Sequence, residues 1–130
     1  MNALGLPIPE KANIFLFTSD KQEGWGAVLN ESMNSGCAVV ASQAIGSVLF
    51  LIKHGKNGFI YKGNDINDLY RKVEMLVKNA DLRMKLGANA VKTMEELWNP
   101  KIAAKRLVEF CENLLKGKII EFKEGPCSKA

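Results

Sequence analysis

The chain has few of the residues from which metal sites and disulfide frameworks are built. It has one histidine and three cysteines. Nowhere in the sequence do His, Cys, Asp or Glu residues follow one another with the spacing of metal ligands. An odd number of cysteines without a Cys-x-x-Cys pair is typical of a reduced, cytoplasmic protein. No apolar run approaches the ~20 residues of a membrane span, and the first residues lack the basic start of a signal peptide. We therefore expect no metal and a cytoplasmic location.

The chain also has little excess of charge of either sign. Its 18 Lys and Arg against 14 Asp and Glu leave a formal net charge of +4. The lysines are scattered among acidic residues at helix-surface spacing, which favours a solvated surface over a nucleic-acid patch. With 130 residues, the chain is one domain or part of one, and we expect no nucleic-acid partner.

The sequence does contain short apolar runs that alternate with amphipathic segments. The runs at 13–18, 38–42 and 59–61 predict three strands, the first of them without clean alternation. Such runs are typical of strands buried on both faces of a parallel sheet. Helical patterns at 24–35 and 47–54 separate them. This order predicts an α/β fold with right-handed crossovers.

Three more helices follow the predicted sheet. Asp65 caps the first, the second runs over 81–98, and Asn99 followed by proline begins the third, which ends at Gly117. The third carries an apolar stripe, which predicts an inward face. Its members are Ile102, Ala103, Leu107, Phe110, Cys111 and Leu114.

The patterned region is bounded by two segments without periodicity. Residues 1–12 form an irregular lead-in, and residues 118–130 form a polar tail that we expect to be poorly ordered. The folded part is then 13–117. A doubly wound sheet commonly has about six strands, so three predict either a very small α/β domain or the second half of a larger, Rossmann-like one. The first apolar run begins very near the N-terminus, which favours the half. The uncovered sheet edge and helix faces of such a half predict self-association.

One segment combines carboxylates with glycines directly after the first predicted strand. Glu23, Gly24, Trp25 and Gly26 are followed by Glu31. If a helix begins near Gly24, the two carboxylates lie roughly 12 Å apart along its axis. The glycines allow close approach to the backbone, and free N–H groups at a helix start favour a phosphate. Carboxylates accept hydrogen bonds from hydroxyls such as those of sugars.

These residues, with the segments 33–41 and 45–59, resemble the family-4 retaining glycosyltransferases, which have the two-domain GT-B architecture. The family pattern is Glu-Gly-aromatic-Gly, four residues, Glu-Ala-Met, a glycine and Val-Val-Ala, and Ser32 stands here for its alanine. The resemblance covers about residues 12–117 in the family's order. It implies half of the C-terminal, donor-binding domain.

The resemblance also implies roles for single residues. Glu23 would contact hydroxyls of the donor sugar as the catalytic carboxylate, and Glu31 would bind the ribose hydroxyls of the nucleotide. The backbone N–H groups of Gly24, Trp25, Gly26 and Ala27 would face the sugar and the pyrophosphate. The donor would be a UDP- or GDP-sugar used as substrate, without a further cofactor, and the acceptor a glycan or a lipid-linked molecule.

The chain departs from the family in two respects. The family commonly has Gly-Gly-x-Pro-Glu where this chain has Gly46-Ser47-Val48-Leu49-Phe50, so the polar contact of that glutamate is missing. The family's pyrophosphate-binding Arg and Lys, and its acceptor domain, lie upstream of the matching region. We therefore expect a fragment of a retaining transferase in glycan biosynthesis. The alternative function is a stand-alone, non-catalytic module that binds a nucleotide or another protein. For the full protein, the alternative location is peripheral, at the inner face of the membrane.

Overall fold

The computed structural model describes residues 13–129, so the predicted lead-in at 1–12 lies outside the described residues. Strands and helices alternate as the apolar runs predicted, and three helices complete the fold. Along the chain they are β1 (Ile14–Phe17), α1 (Val28–Asn34), β2 (Ala38–Ser42), α2 (Val48–Leu51), β3 (Phe59–Tyr61), α3 (Ile66–Lys78), α4 (Ala80–Glu96) and α5 (Pro100–Leu115).

The three strands form one parallel sheet in the order β1-β2-β3. In its register, Ile14 lies opposite Ala38 and Val40 lies opposite Phe59. Parallel neighbours need crossover connections, and α1 and α2 supply them. The predicted α/β fold with a short parallel sheet is confirmed.

The core lies on both faces of β2, whose five residues are all buried. Val39 and Ala41 face one side and Ala38 and Val40 face the other, because side chains alternate along a strand. One cluster joins β2 to α1, α2 and α4: Phe17, Leu29, Met33, Val39, Ala41, Ile45, Val48, Leu51, Ile52, Ala90 and Met94. The other joins β2 and β3 to α3 and α4: Ala38, Val40, Phe59, Tyr61, Leu76 and Leu86.

β1 differs from the prediction of a strand buried on both faces. Phe17 is buried, but Leu16 is 45% exposed. In residues 13–129 β1 pairs with β2 alone, so it is an edge strand. A continuous apolar run predicts burial on both faces of the strand. It does not specify whether the residues that bury the strand belong to this part of the chain.

The three long helices begin at side-chain caps. The carboxylate of Asp65 accepts a hydrogen bond from the N–H of Asp68 (2.9 Å), as predicted. Asn79 caps α4, and Asn99 caps α5 by accepting from the N–H of Ile102 (2.9 Å). Caps of this kind pair backbone donors that a helix start leaves open.

None of the helices within residues 13–129 has both the length and the apolarity needed to cross a membrane.

Only part of the apolar stripe of α5 faces inward as its spacing predicted: Ile102, Ala103 and Phe110 are half-buried, whereas Leu107, Cys111 and Leu114 are exposed. None of the helix's 16 residues is buried, and Leu107 and Leu114 are about half exposed. Cys111 was expected on the inward face but is exposed, whereas Cys37, just before β2, is buried. Burial raises the pKa of the Cys37 thiol by removing water from around its charged form.

The C-terminal segment is placed rather than loose, so the prediction of a poorly ordered tail is wrong for residues 118–129. The guanidinium of Arg106 donates to the carbonyls of Glu124 and Pro126 and lies over the ring of Phe122. Lys53 pairs with Glu124, and their hydrogen bond lowers the pKa of that carboxyl group. These contacts are too irregular in spacing for a periodicity search to find.

Candidate functional site

The helix that carries Glu31 begins later than its sequence suggested. α1 starts at Val28, and the N–H of Leu29 donates to the carbonyl of Gly26 (2.9 Å). Gly26 has a φ of 75°, a left-handed conformation that no α-helix contains. The predicted separation of 12 Å along one helix axis is therefore wrong. Glu23 lies in a loop before the helix, and Glu31 lies in its first turn.

Gly26 closes this loop against the end of β1. A Cβ atom built on Gly26 would lie 2.6 Å from Cζ of Phe17 and 3.3 Å from Cγ2 of Ile45. The loop thus approaches the core more closely than a side chain permits. The glycine holds the backbone of residues 23–27, the motif loop, in a fixed path over the sheet.

The motif loop meets the loop that follows β2. A Cβ atom on Gly46 would lie 2.4 Å from the carbonyl oxygen of Gly24, so the two backbones touch there. Within residues 13–129, the N–H groups of Gly24, Trp25, Gly26 and Ala27 donate no hydrogen bond. Nothing lies within 4 Å of a Cβ on Gly24. Gly24, Trp25 and Ala27 are exposed and Gly26 is buried, so the motif loop presents open donors at its exposed positions, which suits an anionic or hydroxylated ligand.

Trp25 joins the motif loop to an aromatic group that sequence reasoning missed. Its ring lies 5.6 Å from that of Phe50 and 5.8 Å from that of Trp98, measured between centroids. Its indole N–H donates to Oδ1 of Asn30 (3.0 Å), and the residue is 42% exposed. Phe50 replaces the family's glutamate, and this replacement by an aromatic residue was the available signal.

Glu31 has a carboxylate oxygen with an unmet need for a partner. Its Oε2 is buried and has no hydrogen-bond partner in the described part of the chain. The hydroxyl of Ser47 and the indole nitrogen of Trp98 are in the same condition. A buried polar atom without a partner costs ~1–3 kcal/mol, and more when it is charged. A ligand that donates a hydrogen bond to Oε2 of Glu31 would remove this cost.

Glu23 lies at the carboxyl end of the sheet. Its N–H donates to the carbonyl of Asp20 (3.1 Å), and its partly exposed side chain lines a cleft of about 490 Å³ with residues of the same loop. A neighbouring cleft of about 640 Å³ opens where all three strands end. Its lining comes from 18–21 after β1, from 42–44 at the end of β2, from Tyr61, Gly63 and Asn64 at the end of β3, and from Leu49.

Ligands of open α/β sheets bind outside the carboxyl ends of the strands, and the predicted site residues lie on this side to different extents. Of the six, Glu23 alone lines one of these two clefts. The other five line neither: Gly24, Trp25, Gly26, Ala27 and Glu31. The prediction of a parallel sheet could have indicated the larger cleft, because the carboxyl ends of parallel strands lie at the same edge of the sheet. Among residues 13–129, no three His, Cys, Asp or Glu side chains gather as metal ligands would.

The sequence matches a known protein family over most of its length. The family is described as glycosyl transferases group 1, and the match covers residues 8–93. An uncharacterized glycosyltransferase of Methanocaldococcus jannaschii is 30% identical over 110 residues, which are 85% of this chain and 28% of that protein. The capsular polysaccharide biosynthesis glycosyltransferase CapM of Staphylococcus aureus is 27% identical over 104 residues, 80% of this chain and 27% of that protein.

Solved structures resemble the chain in the same way. The C-terminal domain of a group 1 glycosyl transferase, LpcC from Francisella tularensis, is 30% identical with a TM-score of 0.59, covering 64% of this chain and 42% of that one. The fold also matches Anabaena HepE in complex with UDP, with a TM-score of 0.71 at 22% identity over 80% of this chain and 28% of that one. The chain spans about a quarter of the length of the curated relatives described above.

Proposed function

Because this chain belongs to the group 1 glycosyltransferases, we propose that it is the donor-binding part of an enzyme that transfers a sugar from a nucleotide sugar to an acceptor. The proposal includes retention of the anomeric configuration, which the resemblance to family 4 implies. The observation that carries it is the buried, unpartnered Oε2 of Glu31 in the first turn after an open-donor loop.

Glu31 receives the ribose in this proposal. A ribose presents two neighbouring hydroxyls, and an ionised carboxylate can accept from both. The buried Oε2 lacks a donor within residues 13–129, so a hydroxyl would satisfy it without displacing a protein partner. UDP and GDP carry the same ribose, and this contact therefore suits either donor class.

The motif loop receives the phosphates and the sugar. Its N–H groups at the exposed residues Gly24, Trp25 and Ala27 can donate to phosphate oxygens as charge accumulates on the departing diphosphate. Glu23 accepts from sugar hydroxyls at the edge where it lines a cleft. Neither step uses a metal or a further cofactor. The cations that complete diphosphate binding would come from outside this chain, as the resemblance implies.

Glu31→Gln tests the proposal directly. Loss of a charge-assisted hydrogen bond typically costs ~1.5–3 kcal/mol, so nucleotide binding should weaken about ten- to hundredfold. Isothermal titration of the purified chain with UDP and with GDP measures this. UDP comes first because the Anabaena neighbour is solved with it.

Glu23→Gln is the matched comparison because the two carboxylates have different roles. It should leave binding of the bare diphosphate unchanged and weaken binding of the nucleotide sugar. Glu95→Gln, on the exposed surface of α4, should change neither. If Glu31→Gln and Glu23→Gln have equal and negligible effects on both ligands, the assignment is rejected.

A further inference from the structure

The outer side of α5 is an apolar strip that no other described element buries. Ala104, Val108, Cys111 and Leu115 lie on it, Leu107 lies beside it, and Leu115 is 89% exposed. The opposite side of the helix holds the C-terminal segment through Arg106. Single exposed apolar residues are ordinary, but a continuous strip of them marks an interaction surface.

The strip has the spacing of a helix seam. Ala104, Val108, Cys111 and Leu115 follow one another at intervals of four, three and four residues, which keeps them on one face. Lys105 and Glu112 sit at the positions next to this seam on its polar side, one helical repeat of seven residues apart. Both side chains are exposed. This flank is basic in the first half of α5 and acidic in the second.

We propose that a second copy of this chain covers the strip, with the two α5 helices packed antiparallel. In that register Val108 lies opposite Cys111 of the second copy, and the small Ala104 leaves room for Leu115. Lys105 then faces Glu112 of the second copy, and the two-fold axis repeats this ion pair. A parallel pair would instead bring like charges to the same height.

The other flank of the seam completes the pairing. Leu107 and Leu114, each about half exposed, meet each other across the axis on the side away from the ion pairs. α5 has 16 residues and is roughly 24 Å long. One such helix pair buries less than the ~1,600 Å² of a standard interface, so we expect a dimer with a dissociation constant in the micromolar range.

Charge exchange tests the partner and its direction together. Lys105→Glu and Glu112→Lys should each weaken the dimer about tenfold or more, since each sets like charges opposite one another. The double variant should restore the wild-type constant. Sedimentation velocity of the full chain under reducing conditions measures all four proteins over a concentration series. A monomeric wild type at millimolar concentration, or a double variant as weak as the single ones, would overturn the proposal.

The apolar contact has a matched control on α3. Val108→Lys should abolish the dimer, whereas Val77→Lys, at nearly the same exposure (61% against 57%), should leave it intact. Association that survives Val108→Lys rejects the α5 interface and directs attention to the open edge of β1. Both positions are exposed, so neither variant should disturb folding.

A cross-link fixes the register. In a Cys127→Ser background, Val108→Cys should form covalent dimers with Cys111 of the second copy on mild oxidation, because a disulfide needs Cα atoms within about 7 Å. Glu109→Cys, on the polar side, should not exceed the background of the parent. Equal cross-linking of the two variants would contradict the antiparallel register.

Discussion

Gly26 occupies a position in which any side chain meets two obstacles at once. Its φ is 75°, and a Cβ would lie 2.6 Å from the ring of Phe17. Strained backbone of this kind costs ~1–3 kcal/mol for a residue other than glycine, and the contact with the ring adds to it. The motif loop therefore depends on glycine here for its path as well as for access.

Gly26→Ala should lower the free energy of unfolding by at least ~1–3 kcal/mol, measured by urea denaturation of the whole chain. Gly24→Ala is the comparison, because nothing lies within 4 Å of a Cβ at that position. Gly24→Ala should leave stability nearly unchanged. If the two variants unfold at the same urea concentration, Gly26 does not hold the loop.

The helices α4 and α5 have similar caps but different anchorage. Asn79 and Asn99 each accept a hydrogen bond from an N–H in the first turn, at 2.9 Å in both cases. α4 buries Leu86, Ala90 and Met94, whereas α5 buries none of its residues. A helix without buried side chains can open on its own, while a core helix opens with the rest of the fold.

Asn79→Ala should therefore lower the global free energy of unfolding by ~1 kcal/mol. Asn99→Ala should mainly speed amide hydrogen exchange over the first turns of α5, with a smaller change in the global value. Denaturant unfolding and hydrogen-exchange mass spectrometry separate the two effects. Slower exchange across α4 than across α5 in the parent chain is the required control, and global destabilisation of equal size in both variants would contradict the distinction.

Local patterns in the sequence predicted the elements whose causes are local. Asp65 and Asn99 cap helices as expected, and the strand at 59–61 lies where its apolar run predicted. Two features needed information from further away. The late start of α1 follows from the conformation of Gly26 against β1, and the exposure of α5 depends on which surfaces the described residues cover.

The candidate site was predictable to a similar degree. The motif residues Glu23 to Ala27 and Glu31 were identified from glycines and carboxylates at fixed spacing, and their roles stay predictions. The contact of Gly24 with Gly46 and the aromatic group around Trp25 join segments far apart in sequence. No local pattern encodes such contacts, although the replacement at Phe50 pointed to one of them.

At the scale of the whole molecule, the chain should bind donor without transferring sugar. Transfer needs donor and acceptor held together in reactive geometry, which supplies a large part of the rate. The chain spans about a quarter of its curated relatives, and the cationic pair and acceptor site implied by the resemblance lie upstream of the matching region. Incubation with radiolabelled nucleotide sugars and with glycan or lipid acceptors should give no product above background. Transfer that Glu23→Ala abolishes would show that the chain is catalytically sufficient.

The packing of α4 also determines when the fold can be completed during synthesis on the ribosome. The strands pair in the order in which they are synthesised, yet Leu29 and Met33 share their cluster with Ala90 and Met94. Leu29 and Met33 lie on α1, so this helix emerges about sixty residues before the part of α4 that packs against it. Nascent chains that stall before Glu96 leaves the exit tunnel should stay protease-sensitive and should aggregate. Their apolar surface stays exposed because α4 is not yet available to cover it.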